Sequence, residues 1–361
     1  MQKTKAYPRK DNRWEARLKL DGENTFKCFY GATKEVAEKK LEDYLIGITP
    51  AFVSNLTVTD RFFGDLAEEW LKSKIPCTKE STRANYRMKL DKHILSFFGN
   101  KRCSEVSAND IYTFINTKLE KHLSARYVSD ILIVIKAVFR YGSRHYGIKN
   151  VTDGITVPKT TKPKAVILTG EQQARLKHYL LSHLSLTAIC VFIALELGLR
   201  VGEICGLKWS DVDFDNALLY VNRTVQRIAA ENSIKKTKVV ISEPKSQTSK
   251  RSIPIPAWFI DVLKSFKSNN DNYILSGENT PVEPRTLQYR FAALLKKVDL
   301  PSVKFHSLRH AFATNAVKLG FDTKALSEIL GHSSVEITLN KYVHPDIEQK
   351  RVYMERMTMP A

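Results

Sequence analysis

Residues 184–199 are the most apolar run in the chain, and they restrict the fold more than any other segment. Ser185, Thr187 and Glu196 interrupt the run, and it is shorter than the ~20 residues a helix needs to cross a bilayer. Such a segment has to be covered by protein on every side, as a buried helix inside a sizeable domain. A chain of 361 residues has room for two or three domains. With 43% apolar and 26% charged residues it is globular in composition, not disordered.

The formal charge of +19 exceeds what solubility requires and points to a polyanionic partner. The five cysteines are scattered, with no CxxC pair, so neither a zinc cluster nor a disulfide framework is expected and a reducing cytosol fits. The first ten residues carry no apolar core, so no secretory signal is expected there. No membrane partner is expected either.

Along the chain, periodicity separates four regions. Residues 1–49 alternate as a small sheet. Trp14, Ala16, Leu18 and Leu20 lie on one face, Glu15, Arg17 and Lys19 on a wet one, Asp21-Gly22 makes the turn, and Phe26, Cys28 and Tyr30 return. Residues before Trp14 add a third strand, and Thr33 caps a following helix. Lys3, Lys5, Arg9, Lys10, Arg13, Arg17 and Lys19 make this a basic sheet, suited to a DNA groove through Arg13, Trp14, Arg17 and Lys19. A linker around Pro50 follows.

Residues 57–155 read as a four-helix bundle. Phe63, Leu66, Trp70 and Leu71 mark the first helix. The second starts at Ser81 and closes at Gly99, Ser107 caps the third, and the fourth runs from Ser124 to Gly147. Arg83 and Arg87 lie on a basic face that can follow a phosphate backbone. An extended segment with Pro158 and Pro163 leads into a larger domain, 165–344, of mixed helices and a small sheet. The tail, 345–361, is predicted either to pack on its own domain or to be exchanged between protomers.

The large domain concentrates groups suited to phosphate chemistry. His306 and Arg309 share one side of a helical turn, His332 follows a Leu-Gly turn, and Tyr342 lies ten residues further on. Breaking a phosphodiester without a metal needs a nucleophile, cations at the non-bridging oxygens, a proton acceptor and a donor to the leaving oxygen. Tyr342 can attack. Arg200 and Arg309 offer planar forks that match phosphate oxygens. His306 can take or share a proton, and His332 can donate to the phosphate. A lysine of the polar loop 243–252 can protonate the leaving 5′ oxygen; Lys245 is the candidate, with Lys250 as the alternative. Taken singly, each residue also has an ordinary structural explanation: a surface helix for HxxR, a helix terminus for Arg200, a core position for Tyr342.

As an ordered set the motifs resemble the tyrosine recombinases of the phage and conjugative-transposon integrase family. The carriers are LGLRVGEICGLKWSDVDF, EPKSQTSKRSIPIP, FHSLRHAFAT and LGHSSVEITLNKYVH. More loosely, RKDNRWEARLKL resembles the arm-binding domain of such integrases. Leu197 departs from the threonine common at that position, and the lysine loop lacks a frequent glycine.

The resemblance implies a mainly α, multidomain protein with a core-binding bundle and an α+β catalytic domain. Arg200, Lys245, His306, Arg309, His332 and Tyr342 become its catalytic set, with Glu203 as support. The implied reaction is site-specific recombination through a 3′-phosphotyrosine and a Holliday junction, without ATP or metal, by a homo-tetramer on double-stranded DNA with core and arm sites. It would serve integration and excision of a mobile element in a bacterial cytoplasm, at the nucleoid, with an excision factor or host DNA-bending protein as further partners. A type IB topoisomerase-like nicking and resealing enzyme, or a silent DNA-binding regulator, are the alternatives.

Overall fold

In a computed structural model, residues 6–8, 14–19, 26–46, 60–157, 166–230, 237–243, 249–342, 347, 351, 354 and 355 are described. Arg13, Lys245, both linkers and most of the tail lie outside the described residues, as does the side chain of Lys19. The chain divides at residues 160 and 161 into two units.

The first unit begins with three antiparallel strands, β1 (Tyr7–Pro8), β2 (Trp14–Lys19) and β3 (Phe26–Gly31), followed by α1 (Lys34–Ile46). Ala16, Leu18, Ala37 and Leu41 form their small core, with Trp14 packed partly against it. The Thr33 hydroxyl accepts from the Val36 amide, as its position before the helix predicts. Glu15 does not stand on a wet face: it is buried, and Arg17 donates to it at 2.9 Å. β1 pairs with β2 so that Tyr7 stands opposite Glu15, and the ion pair with Arg17 replaces the water that period-two alternation had assigned to it.

Four helical segments follow. α2 (Phe63–Ser73) buries the predicted apolar stripe. α3 begins at Glu80–Lys89, continues through a π-helical stretch, Leu90–Ile94, and ends with Leu95–Phe98 at Gly99. Its N-cap is Lys79, so the helix starts slightly earlier than Ser81 suggested. α4 (Ala108–Glu120) opens on a reciprocal capping box between Ser107 and Asp110. α5 (Ala125–Tyr146) is capped by Ser124 and closed by Gly147 in the left-handed region. Phe63, Phe98, Phe114 and Phe139 meet in the middle of their shared core.

The second unit is organised around α7 (Leu186–Glu196), whose residues from Ala188 to Leu195 are all buried. α6 (Gly170–Ser182) precedes it, with a capping box from Thr169 to Gln172. The short α8 (Val201–Cys205) follows. β4 (Val212–Asp213), β5 (Leu218–Val221) and β8 (Arg251–Pro254) form one antiparallel sheet; β6 (Thr224–Ala229) and β7 (Thr237–Ser242) form a separate hairpin. The strand after the polar loop therefore starts at Arg251, ahead of the apolar residues that signalled it. α9 (Ala257–Lys264) and α10 (Pro284–Lys297) complete the large core. α11 (His306–Lys318), α12 (Thr323–Leu330) and α13 (Val335–Tyr342) follow. No helix among the described residues is long and apolar enough to cross a membrane.

Candidate active site

Arg309 lies on the first turn of α11 and is only 2% exposed. Its fork is held by main-chain oxygens: one nitrogen donates to Gly198 O at 2.7 Å and the other to Leu330 O at 2.6 Å. Gly198 suits that approach. Its φ of +69° is left-handed, and a Cβ there would stand 2.4 Å from the Phe312 ring.

Arg200 is the N-cap of α8. It donates to Glu203 at 2.6 Å and to Gly331 O at 3.0 Å. Glu203 also accepts from the Arg200 backbone amide and from both terminal nitrogens of Arg251. Burial works against the Glu203 carboxylate, but the Arg251 and Arg200 charges prevail and hold its pKa below the usual range. Arg251, in turn, donates to Ile329 O at 2.5 Å and to Ser249 O at 3.1 Å. Three arginines from three segments therefore meet three successive carbonyls, 329, 330 and 331, at the end of α12. A helix C-terminus leaves such carbonyls without intrahelical partners, and its dipole favours cations there.

His332 follows directly. Its Nδ1 is 2.8 Å from the Thr338 hydroxyl, which fixes the ring and leaves Nε2 for a ligand. The ring is parallel to that of Tyr342, with centroids 6.3 Å apart. Tyr342 ends α13 and packs with Ala313, Ala316, Leu326 and Leu330 in a cluster of its own. It is 8% exposed, and its hydroxyl has no hydrogen-bond partner among the described residues. Burial raises the phenol's pKa, while Arg309 and Arg200 pull against that rise.

His306 opens α11 with an exposed edge; its ring meets His310 edge-on at 4.8 Å, and His310 lies 5.5 Å from Tyr342. Burial, followed by nearby positive charge, pushes His310 and His332 down to about 4 and lowers His306 as well. Lys341 is lowered by burial, Arg309 and Arg200. The site is thus an over-charged cationic pocket that an anion would relieve. A cleft lined by Arg200, Gly202, Thr224, Arg227, Ser249 and His332 leads to it.

Arg200, Glu203, His306, Arg309, His332 and Tyr342 are therefore brought together. Lys245 lies outside the described residues. Lys250 is exposed and pairs with Glu243 at 3.0 Å. The sequence reading missed Arg251, His310 and Thr338. Arg251 looked like one more cation of a polar loop; His310 had only its place one helical turn after His306 as a signal, and Thr338, six residues past His332, had none. In the first unit, Arg83 donates to Ile75 O and Thr78 O, and Arg87 grips Glu68. Arg17 lies over the Tyr7 ring and pairs with Glu15.

The model of the phage integrase family matches residues 167–349, and that of its N-terminal SAM-like domain matches residues 62–119. The chain belongs to the phage integrase family. A tyrosine recombinase XerC-like protein of Caldanaerobacter subterraneus subsp. tengcongensis is 30% identical over 92% of this chain and 91% of its own. The transposase of transposon Tn916 from Enterococcus faecalis is 28% identical over 59% of this chain and 54% of its own length. Among solved structures, the Tn1549 transposon integrase in complex with a circular intermediate DNA superposes with a TM-score of 0.68. It shares 24% identity and covers 82% of this chain and 99% of that one. A lambda integrase dimer bound to a core site gives 0.61 at 18% identity, over 95% and 96%. The protein is a tyrosine recombinase with this family's mainly helical fold.

Proposed function

We propose that this tyrosine recombinase cuts and rejoins double-stranded DNA with Tyr342 as nucleophile, to integrate and excise a mobile element. The observation that carries the assignment is the buried Tyr342 hydroxyl, without a hydrogen-bond partner among the described residues and within the field of Arg309 and Arg200, at the turn that also holds His332. A scissile phosphate is the anion that suits this cationic pocket. Arg200 and Arg309 meet its non-bridging oxygens, His332 donates through Nε2, and His306 accepts or shares the tyrosine proton. Lys245 protonates the departing 5′ oxygen. Attack joins the Tyr342 oxygen to phosphorus as a 3′-phosphotyrosine and releases a 5′ hydroxyl. A 5′ hydroxyl from a partner duplex reverses the step.

Support for a mobile element comes from the relatives' names and from the basic residues of the first sheet, which we assign to arm sites, with the bundle on core sites. A homo-tetramer in the bacterial cytoplasm, at the nucleoid, completes the proposal, with an excision factor or DNA-bending protein setting direction. The test is a nicked suicide duplex carrying the DNA that flanks its gene. Wild-type protein traps a covalent complex and Tyr342→Phe does not; strand exchange between two labelled duplexes separates recombination from mere relaxation. A wild type that traps nothing on these ends overturns the proposal.

A further inference from the structure

We infer that Arg251 is a positioning residue for the cleavage reaction: one side chain that sets the lysine loop, Arg200 and the His332 turn in a common register. The inference rests on the function proposed above, but it concerns a residue outside the catalytic set.

Its side chain is 6% exposed. All three guanidinium nitrogens are in use. Nε donates to Ile329 O, one terminal nitrogen to Glu203 and Ser249 O, and the other to Glu203. These partners lie on three different segments. Ser249 ends the loop that carries Lys245. Glu203 holds both the amide and the fork of Arg200. Ile329 is two residues from the Gly331 turn that presents His332.

The packing leaves little slack. Gly331 has a φ of +61°, and a Cβ there would stand 2.9 Å from an Arg251 terminal nitrogen. The turn therefore lies directly against the guanidinium. Lysine cannot reproduce the arrangement, because a single ammonium lacks the planar fork that serves a carboxylate and two carbonyls at once. If the guanidinium is removed, Glu203 keeps only Arg200, and the carbonyls at 249 and 329 lose a donor. The Arg200 fork and the His332 ring can then shift relative to the attacking oxygen, and displacements on the order of 1 Å cost about 10²-fold in rate.

The experiment follows single-turnover cleavage of the same suicide duplex at saturating full-length protein, reading two quantities separately. The amplitude of covalent complex counts correctly folded molecules; the rate constant reports chemistry in each of them. Arg251→Met removes the fork. Arg251→Lys keeps the buried cation opposite Glu203 and guards against simple misfolding. The expected result is a rate constant lower by about 10²-fold for Arg251→Met and about 10-fold for Arg251→Lys, with amplitude and DNA affinity retained in at least the lysine variant. A lysine variant with wild-type rate constant overturns the inference, whether its amplitude is full or reduced, since a reduced amplitude marks a purely structural role. Failure of the wild type to form any complex would instead sink the functional proposal, and this inference with it.

Discussion

The Arg309 guanidinium donates to Leu330 O across a separation of 21 residues, in the buried interior beside Tyr342. The same fork reaches Gly198 O, so one side chain ties the first arginine box to the end of α12. The two carbonyls fix the orientation of the planar fork. In the proposed reaction that arrangement would preorganise the charge for the phosphate.

Arg309→Lys tests this directly. Lysine cannot span both carbonyls, and two buried acceptors lose their donors. The expected outcome is a loss of about 3 kcal/mol in unfolding free energy, measured by denaturant titration, together with loss of covalent trapping. A variant as stable as wild type contradicts the role given to the carbonyl contacts.

Tyr342→Phe should behave in the opposite way in the stability measurement. Its buried hydroxyl has no partner among the described residues, so deleting it removes an uncompensated polar group. Stability should be unchanged or higher by up to about 1 kcal/mol, while trapping is abolished. A clear destabilisation would reveal a hydrogen bond to this hydroxyl.

Gly331→Ala places a Cβ against the Arg251 guanidinium at a left-handed φ of +61°. The backbone alone costs about 1–2 kcal/mol. Thermal melting should show at least that loss. Gly320→Ala has a positive φ of +78° but nothing near its Cβ, so it isolates the backbone cost for comparison.

Acidification should destabilise the DNA-free protein. His310 and His332 are held near pKa 4, below their ordinary 6.5, by burial and then by Arg309, Lys341 and, at His332, Arg200. The folded state keeps them neutral, so the unfolded chain binds more protons between those values. Their contribution is complete above about pH 6.5 and is lost as pH falls toward 4. Melting temperature should fall through that window, and His310→Asn should flatten the fall. An identical slope in the variant would remove His310 from the account.

Much of the fold could be read from local chemistry. Ser107, Ser124, Thr169 and Gly147 cap helices because capping depends on neighbours in sequence. The apolar run around Phe192 had to be a buried helix because no other environment accepts it. Glu15 escaped, since its burial depends on a strand that pairs from elsewhere.

The same division holds for the site. The sequence by itself supplied the candidates: Arg200, His306, Arg309, His332 and Tyr342 are residue types suited to phosphate transfer, in an order that resembles one family. Only the tertiary structure decided how those groups are held. Arg251, taken from sequence for a loop cation, is a buried partner of Glu203, and carbonyls 329–331 each accept from a different arginine. A main-chain oxygen at a helix end has no residue type to announce it. Its role appears only when segments distant in sequence meet around it.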